Sequence, residues 1–287
     1  MKNEKKSILI TGSTTGIGKA GAIELARRGW KVLLHARSAA RGAPVLAELQ
    51  SLLPDADLSL VTGDFASLAE VNTLAGQVKS QVQKLDVLWN NAGLMLNERK
   101  IGTDGWEMTM TINHLSSFLL TRELLPLIEQ TQGRIITTSS GAYLMGRFDW
   151  TDWMDEGSRY TSFKAYSKSK LANILFTHEL ARQVEAKGIT AHCYHPGFIR
   201  SDFGKAQRGV SANSSRSSWL DKIYWFSPQA GADTAVFLAD ELTEKQPNGK
   251  FWVKRKIRKT NGLVSDENAK KLWELSEQAT KRFSSTT

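Results

Sequence analysis

Short apolar runs bounded by polar or glycine-rich turns alternate with longer segments of helical period along most of the chain. SILIT (7–11) precedes a helical pattern that reaches about residue 28, and KVLLHAR (31–37) precedes another. DLSLVTGD (57–64), KLDVLWNNAG (84–93) and GRIITTSS (133–140) repeat the scheme, and ITAHCYHPG (189–197) and KFWVK (250–254) complete seven candidate strands. Runs of this kind read as strands buried on both faces, and helices between them imply right-handed parallel crossovers. The pattern predicts one α/β domain over residues 1–287. It is a Rossmann-type, doubly wound parallel sheet of about seven strands with helices on both faces.

Two stretches interrupt the alternation. LMGRFDWTDWMDEGSRYTSFK (144–164) follows the fifth strand, and FIRSDFGKAQRGVSANSSRSSWLDKIYWF (198–226) follows the sixth. Long insertions after strand C-termini lie where open α/β sheets bind ligands. Ser227-Pro228 then marks a new helix start, with Ser as cap and Pro at the first helical position.

Composition narrows the class without deciding it. The 287 residues are 41% hydrophobic and 23% charged, ordinary for a soluble globular protein. Thirty-eight Lys and Arg against 29 Asp and Glu give a net charge of +9, spread along the chain, so no nucleic-acid partner is expected. Cys193 is the only cysteine, which excludes an intrachain disulfide and suits a reducing compartment. MKNEKK runs straight into a short apolar run, too brief for a signal peptide or a spanning helix. A cytoplasmic protein without an integral membrane anchor is expected.

Chemistry enters at the first turn. SILITGSTTGIGKAGAIELARRG sets Gly12, Gly16 and Gly18 between a strand and a helix. Gly12 permits the tight turn, Gly16 lets the backbone approach a pyrophosphate, and Gly18 leaves room for helix packing. A nicotinamide dinucleotide is the predicted ligand. The second strand ends His35-Ala36-Arg37-Ser38, with no carboxylate to accept a ribose 2′-hydroxyl. Arg37 is placed to pair with a 2′-phosphate, which predicts NADP(H) over NAD(H).

A second candidate is AYSKSK (165–170). On a helix, positions i and i+4 share a face and i+2 points nearly opposite. Lys170 can therefore support Tyr166, whereas Lys168 is expected to face solvent.

With TGSTTGIG (11–18), NNAG (90–93), the serine of ITTSSG and YSKSK (166–170), the chain resembles the short-chain dehydrogenase/reductase family. VLLHARS, NHLSSFLLTRELLP, the long gap between Ser140 and Tyr166, and SPQAGADTAVFLA resemble its retinol-dehydrogenase-like branch. The resemblance implies that Gly12, Ser13, Thr14, Gly16, Ile17 and Gly18 form the cofactor loop and that Arg37 selects NADP. It places Asp64 and Phe65 at the adenine, and Asn91, Ala92 and Gly93 along the cofactor. Pro196, Gly197, Ile199 and Ser201 would hold the nicotinamide carboxamide, Ser201 replacing a more usual threonine. Thr15 stands at the family's other basic NADP-selecting position, which leaves Arg37 carrying most of the 2′-phosphate argument. Asn113, Ser140, Tyr166 and Lys170 match the catalytic set, with Tyr166 and Lys170 also touching the cofactor. Ser139 competes with Ser140, and only the family spacing favours the second.

The implied reaction moves a hydride between nicotinamide and a carbonyl or alcohol. Tyr166 would be the acid or base, with its pKa lowered from about 10 by the Lys170 ammonium and an oxidised nicotinamide. Ser140 would stabilise charge on the substrate oxygen, Lys170 would hold the nicotinamide ribose, and Asn113 would anchor a water for proton resupply.

Aromatics fill both insertions: Trp150 and Trp153 in the first, Phe198, Phe203, Trp219, Tyr224, Trp225 and Phe226 in the second. They read equally as closing over a bulky apolar substrate or as core beneath long loops. Retinoid, steroid, quinone and xenobiotic carbonyls all remain open. KRKIRK (254–259) reads as a solvated rim beside the last strand, and His192, Cys193 and His195 as structural, so no metal is expected. Helices 106–130 and 166–187 would form the family's dimer surface, giving a homodimer or homotetramer, though their apolar stripes could equally be core. A catalytically silent NADP-binding sensor is the competing reading. The retained Tyr and Lys weigh against it. An epimerase or dehydratase of the extended relatives would need a larger C-terminal region.

Overall fold

The computed structural model describes residues 5–157, 159–197, 227–243 and 246–285. Eight strands form one sheet: β1 (Ser7–Ile10), β2 (Lys31–Ala36), β3 (Leu58–Thr62), β4 (Val87–Asn90), β5 (Arg134–Thr138), β6 (Thr190–His195), β7 (Phe251–Val253) and β8 (Lys256–Arg258). Their order is β3-β2-β1-β4-β5-β6-β7-β8. Every pairing is parallel except β7 with β8. The expected seven strands are present, and the eighth is half of the KRKIRK stretch. Lys254 and Arg255 take left-handed φ of 51° and 58° and reverse the chain into an exposed edge strand. Two consecutive left-handed residues are what a tight hairpin turn demands, a signal that a basic composition masks.

Helices α1 (Gly16–Arg27), α2 (Ala39–Leu52) and α3 (Leu68–Gln81) follow the first three strands. A short α4 (Met108–Met110) leads through a π-helical turn, Thr111–Leu115, into α5 (Ser116–Glu129). The long α6 (Ser162–Val184), α7 (Pro228–Val236) and α8 (Asp266–Thr280) follow among the described residues. Ser227 caps α7 by accepting the Ala230 N–H at 3.2 Å, and Pro228 takes the first helical position, as the sequence predicts.

Strand alternation divides the core into two layers. Leu9, Leu33, Leu88 and Ile135 face a layer with Phe118, Leu175 and Trp273, from α5, α6 and α8. Ile8, Ile10, Val32 and Trp89 face the other, with Leu25 of α1 and Ala235 of α7. Gly21 lies beneath the Trp89 ring, where a Cβ would come within 2.2 Å, so α1 is drawn tight to the sheet. The helix α8 lies across α5 and α6. Its Trp273 ring meets Phe118 edge-on at 4.8 Å and stacks with Phe176 at 6.0 Å. The chain's own last helix thus covers part of the face expected for subunit contact. Among the described residues no helix is long and apolar enough to cross a membrane.

The sheet order reverses between β1 and β4. Ligands of open α/β sheets bind at such a switch, beyond the strand C-termini. There the glycine loop after β1, the Asn91-Ala92-Gly93 turn after β4 and the loops after β5 and β6 converge.

Candidate active site

The first turn is held open by its neighbours. Gly12 and Gly16 have φ of 64° and 55°, conformations costly for any residue with a Cβ. A Cβ on Gly18 would lie 2.5 Å from the Gly12 carbonyl and 2.6 Å from the Asn91 side chain. Thr11 Oγ1 accepts the N–H groups of Asn91 and Ala92 at 2.8 and 2.9 Å, while Asn91 Nδ2 donates to the Thr11 carbonyl at 2.9 Å. The β4 turn is thereby locked to the glycine loop. Helix α1 begins beyond Thr15 with no side-chain cap and no acidic residue in its first turn. Its leading N–H groups are available to an anion.

His35 supplies the second brace. Gly12 N–H donates to its Nδ1 at 3.0 Å and its Nε2 meets the Gly63 carbonyl at 2.9 Å, so the ring is neutral with the proton on Nε2. Burial depresses its pKa to about 4. Ser13 Oγ accepts the His35 N–H at 2.8 Å. The Phe65 ring is buried and stacks on His35 at 4.7 Å, so the residue predicted at the adenine has its ring turned into the core. Arg37 is 59% exposed, and its Nε lies 3.8 Å from Asp64 Oδ2, so the two predicted residues meet at the rim. Thr11 and His35 were absent from the expected site. Their signals, a threonine ending β1 and a histidine where a carboxylate often stands, were visible but unassigned.

Beyond β4 and β5 the catalytic candidates converge. Asn113 lies in the π-helical turn, a distortion common at functional sites. Its Nδ2 donates to the Leu94 carbonyl and to Ser169 Oγ, both at 2.8 Å, and its Oδ1 accepts the Leu94 N–H at 2.7 Å. Lys170 is buried, donates to the Thr138 carbonyl at 3.2 Å, and sits 5.5 Å from the centre of the Tyr166 ring. No carboxylate among the described residues pairs with it. A Cβ on Gly93 would come 3.2 Å from both Lys170 Nζ and Asn113 Oδ1, so this glycine keeps the space above them clear.

The two adjacent serines part company. Ser139 is buried and donates to the Lys170 carbonyl at 2.8 Å. Ser140 accepts the Ala142 N–H at 3.2 Å and hydrogen-bonds the Tyr166 side chain. His195 Nδ1 accepts from Gly141 N–H at 3.1 Å and from Gly197 N–H at 3.3 Å, tying the loops after β5 and β6. Gly197 takes φ 90° beside Pro196, while Ile199, Ser201 and the aromatics of 198–226 lie outside the described residues.

In the chain alone, burial raises the Tyr166 pKa to about 12, with the Ser140 hydrogen bond opposing. The lowering expected of Tyr166 belongs to the site with Lys170 and an oxidised nicotinamide together. Burial lowers Lys170 to about 8. One expectation is corrected: Lys168 does not face solvent. It is 2% exposed, bonded to Asp155 Oδ2 at 2.6 Å and to the Trp153 carbonyl at 2.7 Å. The opposite face of the helix turn was covered by the 144–164 insertion, whose path no local periodicity reveals. Trp153 packs near Trp106 at 6.3 Å and Trp150 stacks on Phe148 at 4.5 Å, both against the core.

The family described as short chain dehydrogenase matches residues 6–210. Human retinol dehydrogenase 13 is 33% identical over 273 residues, covering 93% of this chain and 82% of the relative. The Streptomyces sp. (strain C5) protein DnrU, whose name provisionally assigns it daunorubicin C-13 ketoreduction, is 36% identical over 278 residues, 96% and 92% of the two chains. Among solved structures, an uncharacterized Mycobacterium paratuberculosis protein superposes with a TM-score of 0.77 at 30% identity, covering 96% and 93%. The Pseudomonas aeruginosa RhlG/NADP active-site complex does so with a TM-score of 0.69 at 25% identity, covering 86% and 93%.

Proposed function

The chain belongs to the short-chain dehydrogenase/reductase family, in its retinol-dehydrogenase-like branch, and from that premise we propose an NADP(H)-dependent oxidoreductase acting on the carbonyl or alcohol of a bulky apolar substrate. One domain over residues 1–287 would carry both cofactor and substrate. The observation that carries the reading is Lys170, an ammonium buried beneath Tyr166 and Gly93 with no carboxylate partner among the described residues. A buried charge left uncompensated within the chain is costly, and it marks a site completed by something else.

The residues present fit a dinucleotide. The uncapped start of α1, the left-handed Gly12 and Gly16 and the absent side chain at Gly93 leave backbone donors and space for one. Gly12, Ser13, Thr14, Gly16, Ile17 and Gly18 would hold the pyrophosphate end, Arg37 and Asp64 the adenosine end, Asn91 to Gly93 the middle, and Pro196 and Gly197 the nicotinamide end. Exposed Arg37, with no carboxylate ending β2, supports the phosphorylated form. When bound, NADPH supplies the hydride. Tyr166 Oη hands its proton to the oxygen of the forming alkoxide, and Ser140 Oγ donates a hydrogen bond to that oxygen as its charge grows. Lys170 would hold ribose hydroxyls of the bound dinucleotide. Asn113 fixes the loop after β4 beside it.

A bulky apolar substrate suits the surroundings. Leu144 and Met145, just beyond Ser140, and Phe163, one turn before Tyr166, are 50%, 65% and 53% exposed. The names of the relatives point the same way, to polyene and polycyclic substrates. The test is turnover by purified protein with NADPH or NADH and a panel of bulky aldehydes and ketones, beside Tyr166→Phe. NADPH-selective turnover lost in the variant supports the reading. Tight NADPH binding without turnover across the panel would favour a silent cofactor-binding protein.

A further inference from the structure

We propose that Lys168 and Asp155 are positioning residues: a buried clasp that fixes the segment 149–157 as one wall of the substrate site. The inference rests on the reading of Ser140 and Tyr166 as the reacting centre. It concerns residues that touch neither cofactor nor substrate.

The segment runs between those two residues without regular secondary structure. Something must fix its path, and the fixing is polar. Asp155 is 4% exposed and adopts a left-handed φ of 54°. Its carboxylate is held from α6 by two lysines one turn apart, Lys168 at 2.6 Å and the more exposed Lys164 at 3.4 Å. Lys168 Nζ also takes the Trp153 carbonyl at 2.7 Å, so one ammonium binds the segment at two points.

The anchoring continues into the loop after β4. Buried Glu107 caps α4 by accepting the Thr109 and Met110 N–H groups at 2.8 and 2.7 Å. Tyr160 Oη meets Thr109 Oγ1 at 3.1 Å and donates to the Leu96 carbonyl at 3.3 Å. The Trp106 and Trp153 rings pack at a tilt of 47° between the two loops. The loops following β4 and β5 are thus joined at the C-terminal edge of the sheet, where ligands of such sheets bind.

An ion pair is a poor means of adding stability to such a joint, since apolar residues of equal volume hold as well or better. Its advantage is a single permitted geometry. Here that geometry relates the segment to the turn of α6 that carries Tyr166. The left-handed Asp155 points to the same demand, because strain of this sort persists only where the surroundings dictate it.

The experiment uses the full chain with NADPH. Lys168→Met combined with Asp155→Asn removes both charges while keeping a side chain that tolerates the left-handed backbone, and Lys168→Arg retains the pair. Hydrogen exchange over residues 149–157 and steady-state kinetics with a bulky ketone and a small aldehyde are compared across the three proteins. In the double variant, exchange of the segment should quicken by roughly tenfold or more at an unchanged unfolding midpoint. The KM for the bulky ketone should rise by roughly tenfold, with kcat for the small aldehyde and NADPH affinity unchanged, and Lys168→Arg should restore both. Unchanged exchange over 149–157 overturns the clasp, whatever the kinetics. A fall of kcat and NADPH affinity together for every substrate overturns the wall and leaves only a support for α6. Should the wild-type protein turn over no carbonyl at all, the proposed reaction fails, and exchange still decides the clasp.

Discussion

Lys168 and Lys170 stand two residues apart on α6, both buried, and they solve the burial of charge in opposite ways. Lys168 shares its face with Lys164 and is neutralised by Asp155 at 2.6 Å. Lys170 shares its face with Tyr166 and, among the described residues, donates to the Thr138 carbonyl at 3.2 Å without meeting a carboxylate. Burial lowers the pKa of both, but at Lys168 Asp155 opposes the shift, whereas at Lys170 no carboxylate does. Lys168 is compensated by a carboxylate, whereas Lys170 has none among the described residues, the pattern expected if its charge serves the proposed cofactor. The helical period puts the two pairs on opposite faces, so the proposed clasp and the proposed reacting pair share YSKSK.

The largest expected effect tests the second face. Tyr166→Phe removes the proposed proton donor and should lower kcat by about 10³- to 10⁴-fold, with NADPH affinity changed by no more than about threefold. Turnover followed through NADPH absorbance, with binding measured separately by titration, checks both halves. A variant retaining a tenth of wild-type kcat would remove Tyr166 from the chemistry.

The next effect tests the first face. Lys168→Met removes the shortest ionic contact of the buried Asp155 carboxylate and leaves the longer one to Lys164. Breaking a buried pair from one side should cost about 3 kcal/mol in urea unfolding. Restoring neutrality with the added Asp155→Asn should recover most of it. A single variant as stable as wild type would mean that the pair is solvated in solution, and the contrast with Lys170 would weaken.

How far this contrast could be read beforehand depended on whether a feature was local. Strand runs, the Gly12–Gly18 turn, the Ser227-Pro228 helix start and the Tyr166–Lys170 spacing are set by neighbours within a few residues, and each lies where the sequence places it. The role of Lys168 was not legible, because its partner Asp155 arrives from an irregular segment that no local period describes. The raised Tyr166 pKa of the chain alone was not legible for a related reason, since desolvation is a property of the assembled crevice. His35 shows the intermediate case. Its position at the end of β2 was plain, but its hold on Gly12 and Gly63 appears only when two loops meet. Ile199 and Ser201 fall outside the described residues, so their proposed cofactor contacts rest on the family resemblance.

A smaller effect concerns the cofactor rim, where charge is exposed and compensation is partial. Arg37→Ala should weaken NADPH binding by about tenfold and leave NADH binding nearly unchanged, because only the former carries the 2′-phosphate. Equal weakening of both would assign Arg37 to the loop's structure through Asp64 instead. The loss should also shrink as salt rises, since this pair is solvent-exposed.

The smallest expected effect is the most direct measure of an uncompensated lysine. Burial pulls the Lys170 pKa down from 10.5 to about 8. Below pH 8 both states hold the proton and the cost of burying the charge is fully present. Between pH 8 and 10.5 the unfolded chain keeps a proton that the folded chain has released, so stability rises with pH through that window. Tyr166 works the other way, but only above pH 10, because its folded pKa is raised. Between pH 8 and 9 the wild-type protein without cofactor should therefore gain about 1 kcal/mol relative to Lys170→Met, read as the difference between two urea unfolding series. Taking the difference cancels the other titrating groups. Identical slopes would mean that Lys170 stays protonated across the window, stabilised by water reaching the crevice. The two lysines of α6 would then differ in their partners alone, and the argument from an uncompensated charge to a cofactor site would lose its energetic basis.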